Sequence, residues 1–217
     1  MSHTHENRDD KVSLVEMGPR DGLQNETATL SLAQRLALIA RLAESGLQRI
    51  EVGAFVSPKK VPQMADSAAL FNALPRRGPT RYGALVPNLQ GLQAAVAARA
   101  DEIGLFTACS DGFTRANIGI SVEESLIRFA PLVQEARRLG IKVRGYLSTV
   151  IACPFDGPTR PKRVAALAER LLDLGCHEIS LGDTIGVGTP GTVAPMLDAV
   201  LHEIPAGRLA VHFHDTR

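Results

Sequence analysis

Glu178-Ile179-Ser180-Leu181-Gly182 runs into Asp183-Thr184-Ile185-Gly186-Val187-Gly188-Thr189-Pro190-Gly191, and one helix-length later comes Leu209-Ala210-Val211-His212-Phe213-His214. This stretch decides the fold. An aliphatic run gives way to a glycine-rich turn, then to a cap residue followed by proline, Thr189-Pro190, a pairing that opens helices. Pro205 marks the far end, and a second β-rich run follows. Strand, helix and strand in that order form a crossover unit, whose two strands lie parallel.

The same alternation extends towards the N-terminus. Strands are predicted at Val12–Met17, Arg49–Gly53, Thr80–Val86, Glu102–Thr107, Lys142–Ser148, Glu178–Gly182 and Leu209–His214. Ser31-x-x-Gln34 is a capping-box pattern that opens an amphipathic stretch (Leu32, Leu36, Ile39, Ala43) ending at Gly46. Ser121-x-x-Glu124 opens another, which carries Ile127, Val133 and Leu139 and stops at Gly140. The class is therefore α/β.

A doubly wound open sheet and a (β/α)8 (TIM) barrel both satisfy the pattern, and two features favour the barrel. No glycine-rich dinucleotide fingerprint follows the first strand. Polar residues stand at most strand C-termini (Arg20, Asp21, Glu51, Asn88, Ser148, Asp183, His212, His214), which in a barrel converge on one mouth. At about 33 residues per unit, an eighth strand is expected near ~240. The chain is thus read as an incomplete barrel of about seven strands, with the eighth strand and the C-terminal helices missing.

Composition sets the outer bounds. The 217 residues are 45% hydrophobic and 22% charged, and 24 Lys+Arg against 23 Asp+Glu leave a net charge of +1. A broadly basic nucleic-acid or membrane-surface protein is excluded. No apolar run approaches the roughly 18 residues of a membrane span. Residues 1–11 are polar, lack a secretory signal and are expected to form a disordered tail, which leaves 12–217 as a single domain. Cys109, Cys153 and Cys176 are odd in number and form no CxxC pair, which fits a cytoplasmic chain with free thiols.

His212-Phe213-His214-Asp215 is the strongest chemical signal. A two-residue repeat sends both imidazoles to one face, where a nearby carboxylate would complete a divalent-metal site; the alternative is one hydrogen-bonded and one exposed histidine. Asp21 is the candidate carboxylate. Arg20 is a fixed cation able to stabilise charge on a substrate oxygen, or else half of a surface ion pair with Asp21. Glu51 either orients Arg20, acts as a base or caps a loop. The Asp183–Gly191 turn offers backbone N–H groups to an anion, but no lysine follows its glycines, so a P-loop is excluded. Cys109 and Cys176 read as buried hydrophobes.

Glu16-Met17-Gly18-Pro19-Arg20-Asp21-Gly22-Leu23-Gln24-Asn25-Glu26 resembles the opening motif of the 3-hydroxy-3-methylglutaryl-CoA lyases. So do Phe55–Met64, Val143–Tyr146, Ser180–Gly191 and His212-x-His214-Asp215-Thr216, in order. The resemblance implies a metal-dependent TIM-barrel lyase that cleaves 3-hydroxy-3-methylglutaryl-CoA to acetyl-CoA and acetoacetate, in leucine breakdown and ketone-body formation. It further implies Mg2+ or Mn2+ held by Asp21, His212 and His214. Arg20, Glu51, Asp183 and His212 are implied as catalytic, and Arg20, Gln24, Asn117 and Ser180 as substrate-binding. An acyl-CoA partner and a homodimer are expected, with neither nucleic acid nor membrane. The family's cysteine loop and an Asn metal ligand would lie beyond Arg217. Ala54, Thr27 and Lys60 stand where many relatives carry Ser, Lys and Trp. Two alternatives remain: a citramalyl-type lyase, kept open by Ala54, and an inactive fragment that associates through open edges.

Overall fold

Both capping boxes open helices where their spacing predicts. Ser31 Oγ accepts from Gln34 N at the start of α1 (Leu32–Glu44), and Gln34 Oε1 accepts in return from Ser31 N. Ser121 and Glu124 make the same reciprocal pair at the head of α5 (Val122–Arg138). At the far ends, Gly46 and Gly140 have positive φ, where glycine alone lacks the Cβ penalty.

The structure is a computed structural model that describes residues 12–76 and 78–216; the tail expected over 1–11 lies outside them. In chain order the remaining elements are β1 (Arg49–Ala54), α2 (Ser67–Ala73), β2 (Arg81–Leu85), α3 (Leu89–Ala97), β3 (Glu102–Ala108) and α4 (Asp111–Ile118). After α5 come β4 (Lys142–Ser148), a short hairpin of β5 (Ala152–Cys153) and β6 (Gly157–Pro158), α6 (Pro161–Leu174), β7 (Glu178–Asp183), α7 (Pro190–Glu203) and β8 (Leu209–Phe213). Among the described residues no helix is long and apolar enough to cross a membrane.

The sheet order is β1-β2-β3-β4-β7-β8, every pair parallel. The order never reverses, whereas a doubly wound sheet requires a reversal at its switch point. The sheet also curls. Laid flat, the four spacings from β1 to β7 would put their axes about 19 Å apart. Yet Arg49 Nη2 on β1 lies 3.3 Å from Glu178 Oε2 on β7. The result is an incomplete TIM barrel of six strands.

Strand alternation then sorts side chains by layer. Ile50, Val52, Ile103, Leu105, Val143, Ile179 and Leu181 face outward into the helices and form the core with Leu70, Phe71, Phe129, Leu132 and Leu171. Arg49, Glu102, Arg144 and Glu178 face inward at the strands' N-terminal ends and form a closed ionic ring. Arg49 bonds Glu102 at 2.8 Å as well as Glu178, and Arg144 forms ion pairs with Glu178 and, at 3.5 Å, with Glu102.

One predicted strand is corrected. Val12–Met17 contributes a single bridge, Glu16 beside Ile50, with Glu16 N donating to Arg49 O and Glu51 N to Glu16 O. Its alternation is suitable for a strand, but Val12 and Leu14 are 84% and 68% exposed. Among the described residues nothing extends the ladder beyond that rung.

All three cysteines are buried and free. Burial pushes the Cys109 and Cys176 thiols up to about 12, against the lesser opposing pull of Arg163 and Arg208. A thiol reagent at pH 8 is therefore expected to find fewer than one reactive group in the native chain and three in guanidinium. Unfolded thiols ionise near 9.0, so the unfolded chain loses those protons first and stability falls as pH rises from about 9 to about 12. Three fast-reacting native thiols would contradict this burial.

Candidate active site

Gly18-Pro19 leads into a π-helical turn, Gly18–Gly22, that carries Arg20 and Asp21 to the strands' C-terminal ends. Arg20 N and Asp21 N both donate to Met17 O, at 3.1 and 2.7 Å. The Arg20 guanidinium is buried and triply held. Its Nε donates to Glu51 Oε1, its Nη1 donates to Asp21 Oδ1 at 2.8 Å, and its carbon lies 5.6 Å from the centroid of the Tyr146 ring. The Tyr146 hydroxyl donates to Glu51 Oε2, so Glu51 is shared between the two. Burial works against the Arg20 charge, but Glu51, Tyr146 and Asp21 outweigh it and hold the proton more tightly than usual. Gly104 lies beneath this group. A Cβ there would collide with the Tyr146 ring and stand 3.2 Å from Glu51 Oε2, so the close approach requires glycine.

His212 on β8 and His214 just past it turn their Nε2 atoms to the same point, 3.0 Å apart. Asp21 Oδ2 lies 3.3 Å from His212 Nε2 and 3.5 Å from His214 Nε2. Burial would raise the Asp21 carboxyl, but a hydrogen bond from His212 and the charges of Arg20, His212 and His214 win and hold it at about 2. Thr184 O is 2.7 Å from His214 Nδ1; a carbonyl only accepts, so Nδ1 donates to it and Nε2 is the ring nitrogen turned to the cluster. One ionised carboxylate and two convergent imidazole nitrogens, all within 4.8 Å of one another, are a donor set that fits a divalent cation.

A second group, Glu102, His177 and Glu178, has similar spacing. Its carboxylates are already neutralised by Arg49 and Arg144 in the ionic ring, so it is an ion-pair network rather than a cation site.

The Asp21 cluster and Arg20 line a cavity of about 800 Å³ at the strands' C-terminal ends. Gln24, Asn117 and Ser180 line it too. Gln24 Nε2 approaches Asp21 Oδ1 at 3.4 Å, while Asn117 Nδ2 donates to Phe113 O in its own helix. Glu51 lies behind Arg20. Asp183 is not among the lining residues: its buried carboxylate accepts from Val187 N at 3.3 Å and Gly188 N at 2.6 Å, which closes the turn after β7. Ala54 is buried away from the cavity wall, its N–H held by Ser67 Oγ. Tyr146, Thr184 and the apolar wall of Phe106, Phe113 and Phe129 were not singled out in the sequence. Tyr146 stands in the sequence only as the last residue of the Val143–Tyr146 motif, at an alternate strand position on the inward face with Arg144 and Ser148, with no role of its own.

Comparison with known proteins follows the same contours. A family model described as HMGL-like matches residues 11–217. The chain is 50% identical over 206 residues to a 3-hydroxy-3-isohexenylglutaryl-CoA/hydroxy-methylglutaryl-CoA lyase from Pseudomonas aeruginosa, covering 95% of this chain and 69% of that protein. It is 52% identical over 205 residues to a cytoplasmic 3-hydroxy-3-methylglutaryl-CoA lyase from Danio rerio, covering 94% of this chain and 61% of that protein. The chain thus spans between about three-fifths and seven-tenths of the length of these two relatives. A crystal structure of the HMG-CoA lyase from Brucella melitensis superposes with a TM-score of 0.93 at 53% identity, over 94% of this chain and 72% of that one. An HMG-CoA lyase from Acinetobacter baumannii, in complex with coenzyme A and 3-methylmalate, superposes at 0.90 with 35% identity, over 94% and 67%.

Proposed function

The chain belongs to the HMGL-like family, and on that premise we propose that it cleaves 3-hydroxy-3-methylglutaryl-CoA to acetyl-CoA and acetoacetate. The observation that carries the reading is the meeting of Asp21 Oδ2 with the Nε2 atoms of His212 and His214 beside a buried Arg20. Asp21, His212 and His214 would hold Mg2+ or Mn2+. A cation there supplies Lewis acidity that lowers the barrier to removing the proton of the substrate's tertiary alcohol.

Within the chain, Arg20 is assigned to the thioester carbonyl. As the hydroxyl proton leaves and the carbon–carbon bond breaks, the electron pair moves onto that carbonyl oxygen as an enolate, which a fixed guanidinium stabilises without reorganising until its carbon takes up a proton from solvent to give acetyl-CoA. Glu51 holds the guanidinium in place and Tyr146 holds Glu51, so both act through Arg20. His212, whose side chain is only 24% exposed, is assigned to proton movement at the substrate hydroxyl as well as to the cation. Asp183 shapes the turn after β7 and is assigned an orienting role. Gln24, Asn117 and Ser180 are assigned to substrate contacts. An acyl-CoA substrate, a homodimer and a cytoplasmic location belong to the same proposal.

Cavity size favours a second substrate alongside the first. Phe106, Phe113, Phe129 and Ile118 give the roughly 800 Å³ space an apolar wall, which suits a longer alkyl group at carbon 3 in place of methyl. Both thioesters are to be offered to the purified 217-residue chain with Mg2+ and with Mn2+. Acetoacetate release from the methyl substrate, abolished by chelator, is the expected result. A folded chain that binds neither ion and releases no product overturns the assignment, one that binds an ion but releases no product is the inactive fragment, and cleavage of the longer substrate alone moves it to the second reading.

A further inference from the structure

Helix α4 carries part of the cavity wall on a slender footing. Phe113, Asn117 and Ile118 line the cavity. Yet α4 is eight residues long and only its Thr114 is buried, and helices this short are marginal without outside support. The Thr114 and Asn117 side chains bond back to Ser110, Asp111 and Phe113 carbonyls of the same segment. Beyond its own caps, two hydrogen bonds among the described residues tie α4 to its surroundings. Val122 N donates to Asp111 Oδ1 at 2.8 Å, and Gly112 N donates to Asp156 Oδ2 at 2.8 Å.

The second bond comes from the tip of the β5–β6 hairpin, whose base is fixed. Ile151 and Cys153 are buried. Thr159 N donates to Ile151 O at 2.9 Å, and Thr159 Oγ1 to Thr149 O at 2.6 Å. From that base the tip brings two groups to α4. Asp156 sets a carboxylate on a first-turn N–H, a donor with no partner inside the helix and a place where negative charge is favoured. Phe155 lays its ring 6.4 Å from that of Phe113, which stands 6.1 Å from Phe106 on β3. Phe106 and Phe113 line the cavity, whereas Phe155 is not a lining residue and is 61% exposed. Gly112 permits the close approach: a Cβ there would collide with Asp156 Oδ1 and stand 2.9 Å from Phe155 Cβ.

We propose that the hairpin tip is a clamp that determines specificity. Asp156 and Phe155 are positioning residues that hold α4, and with it Phe113 and Ile118, as a preorganised apolar surface for the substituent at carbon 3 of the thioester. A wall ordered beforehand need not be ordered by the ligand, and a longer substituent, which covers more of it, gains more. The inference rests on the reading that the cavity receives such thioesters, but the clamp itself belongs to the unliganded chain.

Two measurements separate those halves. Amide hydrogen exchange of the unliganded chain, followed by mass spectrometry over α4, reads the clamp. Titration calorimetry with 3-hydroxy-3-methylglutaryl-CoA and its 3-hexyl counterpart, in chelator so that neither is cleaved, reads the specificity. Asp156→Ala is expected to speed exchange over α4 about tenfold, the scale of a lost cap. Phe155→Ala should speed it about fivefold, the scale of a lost aromatic pair. Both should raise the Kd of the hexyl thioester about tenfold and that of the methyl thioester less than about threefold. Asp156→Asn keeps an acceptor and Phe155→Tyr keeps the ring, so each should stay within about threefold of wild type. Gly112→Ala improves the helix's own propensity but lifts the tip, so weaker hexyl binding there marks a lost clamp rather than a weaker helix. Unchanged exchange over α4 in both hairpin alanine variants overturns the clamp. Equal shifts for the two thioesters, or wild-type hexyl affinity in Gly112→Ala, overturn its role in specificity. If exchange responds as expected but the wild type binds neither thioester, the clamp stands, and the substrate reading fails and takes the specificity with it.

Discussion

Asp21→Ala is expected to weaken Mn2+ binding by at least about 100-fold, beyond the range seen when only the support behind a ligand is lost. Asp21 supplies the cluster's one carboxylate, and it stays ionised down to about pH 2 because His212 and Arg20 outweigh its burial. Without it two imidazoles remain, a set with little hold on Mg2+ or Mn2+, which prefer oxygen donors. Asp21→Asn keeps the shape and one oxygen but removes the charge, and should fall between the two. Paramagnetic titration of free Mn2+ reads the effect directly, whatever the turnover. An alanine variant that binds within threefold of wild type would place the cation elsewhere.

The second large effect concerns Arg20. Arg20→Gln should lower turnover by about 10²–10³-fold, the loss seen when one donor to a developing oxyanion is removed. It should also destabilise the chain by about 3–5 kcal/mol, because Glu51 is left charged and buried without its cation; the two side chains are only 8% and 4% exposed. Arg20→Lys is not expected to restore activity. One ammonium cannot reproduce the fork that sends Nε to Glu51 and Nη1 to Asp21 while the guanidinium plane lies over Tyr146. Denaturant unfolding and steady-state rates measure the two consequences separately. A glutamine variant with undiminished turnover would remove Arg20 from the chemistry.

Much of this architecture was legible in the residues because it is written in short-range physics. Ser31 with Gln34 and Ser121 with Glu124 are reciprocal hydrogen bonds three residues apart, and Lys142–Ser148 is a buried strand whose predicted limits are those observed. The convergence of Asp21 on His212 and His214 followed from parallel strands returning to one mouth. What escaped was long-range or contrary to propensity. Val12–Met17 has a strand's composition but finds a single partner rung. Asp183 stands at a strand end like its neighbours, yet its carboxylate turns back on Val187 and Gly188, a choice that no pattern of residue types records. Thr149 is a residue that favours extended backbone, yet it stands at φ 57°, held by contacts from 10 to 40 positions away together with its own bond to Ser148 O.

The ring of Arg49, Glu102, Arg144 and Glu178 has a consequence for how the chain reaches its native pairing. Parallel strands buried on both faces are aliphatic throughout, and their outward residues would accept a shift of two positions almost as well as the true alignment. The ring would not. A slip of two residues in β3, β4 or β7 would carry one charge out of the ring and leave its opposite number bare in a low-dielectric interior. The four ions thus act as an alignment key, penalising misfolded sheets far more heavily than they reward the correct one.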